Sequence, residues 1–283
     1  MANPDAALSY CGREVRRHDN DRYQTCLFAP ADRREGLFAL YAFNVEIAKT
    51  REVVTEPILG QIRLQWWREA VEELFGGTVR RHEVVQGLAE AVAAHGLSRA
   101  SIERLIDARE ADLDDEPPAT LDCLVSYAEV TGAPLAQLAL EVLGVRGEAA
   151  MAAARHVGIA WALTGLLRAV PFHARSRRLY LPRDLLDRHD VAPGRLFEMK
   201  APEGLREVVR AVAATAADHL REARARRRDV PRAALPALLP ATLADVYLSA
   251  LAKAGHDPYD ARFQVADPLR PLRLAGRALI GRY

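Results

Sequence analysis

Apolar side chains recur every three or four positions along most of the chain. Nowhere do apolar and polar residues alternate over several positions as a half-buried strand requires. The pattern predicts an all-α protein. Its strongest run, 32–54, sets Leu37, Leu40, Tyr41, Val45 and Ala48 on one face, with Asp32 placed to cap it and Pro57 beyond its end. A second helix over 60–75 aligns Ile62, Trp66, Ala70 and Leu74 and stops at Gly76 and Gly77. Helices over 82–94 and 98–114 follow, the latter opening on a Ser98 cap, and Pro117 and Pro118 break the chain. The stretch 121–143 is helical in pattern but holds Gly132 and Pro134, so a kink or two packed segments are expected. The next stretch, 149–170, is apolar nearly all round, which places it in the middle of a bundle, with Pro171 ending or bending it. A short turn over 183–188, an amphipathic helix over 203–227 and a last long helix over 237–254 complete the pattern. The tail after Asp257 holds Pro258, Pro268 and Pro271 and shows no clear element. No repeat, low-complexity linker or shift in composition divides the chain, so residues 1–283 are expected to form a single domain.

With 50% hydrophobic and 27% charged side chains over 283 residues, the chain is of globular type and large enough to bury roughly three quarters of its unfolded surface. The 39 basic and 38 acidic residues leave a net charge of +1, which excludes a global electrostatic pull toward nucleic acid. Anion binding must therefore be local. Lys stands only at 49, 200 and 253, so nearly every cation is Arg, the better fork for phosphate wherever it clusters. Cys11, Cys26 and Cys123 are an odd number without metal-ligand spacing, which fits a reducing compartment. Residues 1–20 carry Asp5, Glu14 and Asp19 and no apolar run, so no cleavable targeting signal is evident. No stretch approaches 18 consecutive apolar residues, and the expectation is a cytoplasmic protein, soluble or at most peripheral on the inner membrane.

Three stretches are distinctive together: Leu37-Phe-Ala-Leu-Tyr-Ala-Phe-Asn-Val-Glu-Ile-Ala48 with Leu64-Gln-Trp-Trp-Arg-Glu-Ala-Val-Glu72; Leu121-Asp-Cys-Leu-Val-Ser-Tyr-Ala-Glu129 with Leu138-Ala-Leu-Glu-Val-Leu-Gly144; and Gly158-Ile-Ala-Trp-Ala-Leu-Thr-Gly-Leu-Leu-Arg168 running into Arg178-Leu-Tyr-Leu-Pro182. Their order and spacing resemble the squalene/phytoene synthase family of head-to-head prenyl transferases, over roughly residues 23–251. The resemblance implies an isoprenoid-synthase-type helical bundle with a central cavity. In active members two aspartate-rich motifs face each other across that cavity and hold the Mg²⁺ ions that grip a prenyl diphosphate. Hard cations bridged by carboxylates neutralise the charge that develops on the leaving group.

Mapped residue by residue, the first motif falls at 48–52, where Ala48 and Lys49 replace paired acids and Glu52 alone keeps a carboxylate. The second spans 168–173, where Ala169 and His173 stand at the acid positions, Arg168 alone matches, and Ala162 and Gly165 replace amide side chains. Tyr41, Asn44, Ala48 and Glu52 share one helix face, and Ala162, Gly165 and Ala169 another, so these residues should line the cavity. One remaining carboxylate cannot hold a cluster of divalent ions, so no catalytic residue and no metal ligand is assigned. Ala42-Phe-Asn-Val-Glu46, Leu167-Arg-Ala-Val-Pro-Phe-His173, Arg109-Glu-Ala-Asp-Leu-Asp-Asp115 and Pro236-Ala-Leu-Leu-Pro240 resemble one branch of the family in particular. That branch is the one derived as an assembly factor of mitochondrial respiratory complex I, together with its bacterial relatives.

The resemblance therefore implies a non-catalytic protein whose partners are complex I subunits or assembly intermediates. A lipid or prenyl chain could still occupy the apolar lumen. The competing expectation is an active Mg²⁺-dependent prenyl transferase with atypical ligands, and a third is a lipid carrier with neither role. Arg168 on an inner helix needs a partner, either Glu52 across the cavity or a retained anion. Arg168, Arg175, Arg177 and Arg178 are the candidate anion-binding set, and His173 among them is either a hydrogen-bonding structural residue or part of that set. Asp112 and its acidic neighbours before Pro117 read as a solvated turn outside the cavity. Glu46 should point away from the cavity and pair with Lys49 or Thr50. Only one of Trp66 and Trp67 can face the core, and the five Arg within 221–228 read as a solvated face or a membrane or partner contact.

Overall fold

The computed structural model describes residues 8–54, 56–265 and 267–283, so residues 1–7, the start of the segment examined for a targeting signal, lie outside the described residues. Helices α1 (Tyr10–His18) and α2 (Asn20–Cys26) lead into α3 (Ala31–Ala48), the short α4 (Thr50–Val53) and α5 (Pro57–Phe75). Then come α6 (Glu83–His95), α7 (Arg99–Asp107) with a 3₁₀ turn (Ala108–Leu113), α8 (Leu121–Val142) and α9 (Glu148–Arg168). The remaining elements are α10 (Val170–Arg175), α11 (Arg183–Arg188), α12 (Pro193–Phe197), α13 (Leu205–Ala225), α14 (Leu235–Leu238), α15 (Pro240–Lys253), α16 (Ala261–Gln264) and α17 (Arg270–Leu279). No strand occurs among the described residues, and buried apolar side chains from Cys11 to Tyr283 form one continuous core.

The centre of the bundle is the antiparallel pair α8 and α9, whose orientation follows from cross-links at Glu129–Arg155 and Gln137–Met151. Gly132 and Gly158 face each other where the two backbones touch. A Cβ on either would fall inside the shell of the other's carbonyl oxygen, so these positions exclude any larger residue. α9 is long and apolar enough to cross a membrane, but most of it is buried in the bundle. Val157, Ile159, Ala160, Leu163 and Leu167 are all core residues, as its all-round apolarity requires. Pro134 sits inside α8 without dividing it, because the helix continues unbroken to Val142, in place of the two segments its proline suggested.

Other boundaries depart from the periodic reading. The first long helix is not one element but breaks at Lys49, and its N-cap is Pro30 rather than Asp32. On α5 the buried face runs through Gly60, Leu64, Trp67, Ala70, Val71 and Leu74, leaving Ile62 exposed. Trp67 takes the core position, and Trp66 stands at 89° to it, half-buried beneath the guanidinium of Arg80. The last long helix is broken at Leu239 into α14 and α15, and the tail folds as α16 and α17. Ser98 caps α7 by accepting from the Ser101 amide, as its position suggests. Cys11 and Cys26 are buried and Cys123 exposed, all three as free thiols, and burial pushes the Cys11 thiol up to about 12.

The glycine contact sets a quantitative expectation. Gly132→Ala gains about 1 kcal/mol of helix propensity but drives a methyl into rigid backbone, and overpacking of that kind costs about 1–3 kcal/mol. Urea titration should show a net loss of stability for Gly132→Ala and for Gly158→Ala, where an exposed helical glycine such as Gly276 would show a gain.

Candidate cavity site

The cavity lies where α3 and α4, the 3₁₀ turn after α7, the first half of α8, the end of α9 and α10 converge. Its volume is about 420 Å³, and Ala48, Glu52, Gly165, Ala169 and His173 all line it. The helical spacing is what brings them together: Ala48 and Glu52 are one turn apart along the α3–α4 course, Gly165 and Ala169 one turn apart on α9. Asn44 lies one turn deeper, buried, and accepts from Arg109 Nη2 at 3.3 Å. Tyr41 is deeper again and does not reach the cavity, packing instead against the guanidinium of Arg22 at 5.4 Å. Ala162 is placed on the contact between α8 and α9, beside Gly132.

The polar centre of the wall is Asp112. It is buried, 5% exposed, where a solvated turn had been expected. The 3₁₀ turn carries it inward, and its Oδ1 accepts from the hydroxyls of Tyr127 and, at 3.0 Å, Tyr180. Its Oδ2 faces Arg109 Nη1 at 3.4 Å. Arg178 donates to the Asp112 and Asp114 carbonyls, so its charge is also directed at this turn. Burial drives the Tyr127 and Tyr180 hydroxyls above their ordinary range, with the Asp112 charge adding to it. Arg109 is held above its ordinary value because Tyr127 and Asp112 outweigh its desolvation. These residues were visible as parts of motifs. Arg109 and Asp112 stand at the i,i+3 spacing of a helical ion pair, but nothing in that spacing says which side of the turn faces inward.

The expected pair of Arg168 with Glu52 does not form. Arg168 turns to the other side of α9, where its Nη1 lies 3.1 Å from Asp21 Oδ2 and its guanidinium 3.7 Å from the centre of the Tyr247 ring. Asp21 is buried and also receives Arg270 and, at 2.7 Å, the Tyr247 hydroxyl. Residues from α2, α9, α15 and α17 thus meet on one carboxylate, and neither Asp21 nor Tyr247 carried a motif that marked it.

The expected arginine set is dispersed as well. Arg178 lines the cavity, Arg175 is exposed, and Arg177 lies exposed over the Phe197 ring at 5.5 Å. Arg51 joins the wall instead, bonded to Asp115 at 3.1 Å. Glu46 points away from the cavity and binds Lys49 and, at 2.6 Å, Arg63. In the 221–228 run, Arg221, Arg224 and Arg226 pair with Asp218, Asp245 and Glu222, so much of that charge is spent locally.

The donor set does not suit divalent cations. Glu52 and Asp112 are the two carboxylates in the lining, against Arg51, Arg109 and Arg178. Both Asp112 oxygens already have donors. Burial and the nearby Asp112 raise the Glu52 pKa despite Arg178, which favours its protonated form further than an exposed glutamate. A Mg²⁺ cluster needs several free oxygen ligands, and among the described residues no group of three or more His, Cys, Asp or Glu could hold a metal ion.

His173 packs on Tyr180 with ring centres 4.6 Å apart, and burial with the neighbouring Arg178 lowers its pKa from 6.5 to about 4. The unfolded chain then binds that proton more tightly between the two values, so acidification through this window favours unfolding and the effect levels off below it. Stability should fall by about 1–3 kcal/mol from this group as pH drops from 6.5 toward 4, and His173→Gln should flatten that part of a pH series of urea midpoints. Asp112→Ala strands Arg109 and two buried hydroxyls and should cost about 3–5 kcal/mol. Tyr180→Phe, which leaves Asp112 with its other donors, should cost about 1 kcal/mol in the same titration.

The squalene/phytoene synthase family model matches residues 15–273. Over 271 residues the chain is 36% identical to NADH dehydrogenase (ubiquinone) complex I, assembly factor 6 of Rattus norvegicus, covering 96% of this chain and 81% of that one. The Bos taurus protein of the same name is 34% identical over 265 residues, covering 94% and 80%. Among solved structures, a dehydrosqualene synthase in complex with ligand superimposes with a TM-score of 0.83 at 19% identity, covering 96% of this chain and 94% of that one, which is a likeness of fold. Bundle, cavity and sequence agree, and this chain belongs to the squalene/phytoene synthase family.

Proposed function

We propose that this protein is a non-catalytic member of its family that serves as an assembly factor for respiratory complex I. The observation that carries the reading is the cavity wall: where a diphosphate-gripping metal cluster would need acids, it offers Ala48, Ala169 and His173, with Asp112 committed to Arg109, Tyr127 and Tyr180. Ionising an allylic diphosphate without hard cations leaves the departing charge unneutralised. The identity of about one third to complex I assembly factor 6 over nearly the whole chain supports a role with complex I subunits or assembly intermediates as partners. A cytoplasmic protein held peripherally at the inner membrane fits that role. The cavity, with Leu166 and Phe172 beside its polar wall, retains room for part of a lipid or prenyl ligand.

Deleting the gene in its own organism should lower assembled complex I and its NADH-linked respiration severalfold, leaving squalene and carotenoid levels unchanged. Purified protein given farnesyl or geranylgeranyl diphosphate with Mg²⁺ should release no diphosphate above background. Mg²⁺-dependent release that Glu52→Gln abolishes would establish the prenyl transferase reading instead.

A further inference from the structure

The end of the chain presents an apolar surface that the bundle does not use. Five of the fifteen exposed large hydrophobic side chains among the described residues fall within 265–280: Val265, Leu269, Leu272, Leu279 and Ile280. On α17 the spacing puts Leu272, Gly276 and Leu279 on one face with Ile280 beside them. Arg273 and Arg277 occupy the adjoining arc, and the arc beyond is turned inward through the fully buried Leu274. Leu272 is 69% and Leu279 76% exposed.

This orientation is held at both ends of the helix. At its start Arg270 binds Asp21 and, at 2.8 Å, the Tyr247 hydroxyl. At its end Arg232 donates to the Ala278 and Leu279 carbonyls at 3.3 and 3.1 Å, and the buried Tyr283 hydroxyl donates to Ala223 at 3.1 Å. The apolar face therefore cannot roll under to join the core without breaking those bonds.

The charge around it that is left without an ion pair among the described residues is cationic. After Asp267 the chain carries four Arg and no acid. A groove of about 810 Å³ between α15 and α17 sets Lys253 and Arg277 beside Leu272 and Ile280, while its acids, Asp245 and Asp267, are paired with Arg224 and Arg273, and its Arg262 with Asp260. Arg277 and Arg282 have no ion pair among the described residues. The exposed apolar side chains of the patch are aliphatic, without the exposed Trp or Tyr anchors that concentrate binding energy at protein interfaces. An aliphatic stripe bordered by cations matches the boundary between acyl chains and anionic headgroups.

We propose that α17 and the groove beside it seat the protein on an anionic phospholipid surface, with Leu272, Leu279 and Ile280 entering the headgroup boundary and Lys253 and Arg277 meeting lipid phosphates. This rests on the peripheral-membrane part of the reading above and not on its complex I part. The full chain should co-sediment with phosphatidylcholine vesicles holding about 30% phosphatidylglycerol and only weakly with pure phosphatidylcholine, a preference that added salt weakens. Leu272→Asp with Leu279→Asp should reduce that binding about tenfold or more. Lys253→Gln with Arg277→Gln should erase the preference for anionic vesicles. Both variants should keep the wild-type helical signal and melting temperature, since none of the changed side chains is buried and none holds an ion pair among the described residues. Absent or composition-independent binding by the wild-type chain, or unchanged binding by the folded leucine variant, overturns the proposal. Loss of complex I on gene deletion with no vesicle binding removes the membrane seat and leaves the assembly role standing, and the converse pair of results separates them the other way.

Discussion

Gly132 and Gly158 bring two long helices to backbone contact, and the rest of the bundle is arranged around that approach. With no side chain between them, α8 and α9 lie close enough for the start of α8 to face the end of α9. That juxtaposition places Tyr127 opposite Gly165 and Ala169 across one cavity. Interiors are packed too densely for such a contact to be shifted locally, so the two glycines fix how the cavity's α8 and α9 walls approach each other.

Within that frame the protein twice gathers cationic and phenolic side chains around a single buried carboxylate. Asp112 receives two tyrosine hydroxyls and a guanidinium on the cavity side. Asp21 receives Arg168, Arg270 and the Tyr247 hydroxyl on the other side of α9. A buried carboxylate is costly unless its lone pairs are satisfied, and both are. Such a centre is structural in consequence, since each oxygen held by a donor is one fewer available to a metal ion. The same economy explains why Arg168, which resembles a family site residue, is drawn to Asp21 and leaves Glu52 without it.

The periodic apolar pattern was enough to read an all-α bundle, the central position of α9 and the burial of Trp67 or its neighbour, because helix-forming periodicity and burial are nearly the same information. Boundaries were less legible. The break at Lys49 and the continuity of α8 through Pro134 depend on packing that outweighs local preference by amounts local preference cannot reveal. Asp112 shows the same limit at the site. A run of acids before two prolines looks like a solvated turn, and only the 3₁₀ geometry that rotates it inward onto Tyr127 and Tyr180 makes it the centre of the wall.

By itself the sequence determined the class of fold and the family, and it determined which chemical groups stand at the expected metal positions, because those are matters of residue identity and spacing. Which cation meets which carboxylate was decided by the tertiary structure alone. Ion pairs form between side chains distant along the chain, here residues 21, 168 and 270, and their energies depend on distance and burial that no linear spacing encodes. The outward face of α17 was decided in the same way, by where Arg270 and Tyr283 are tied down.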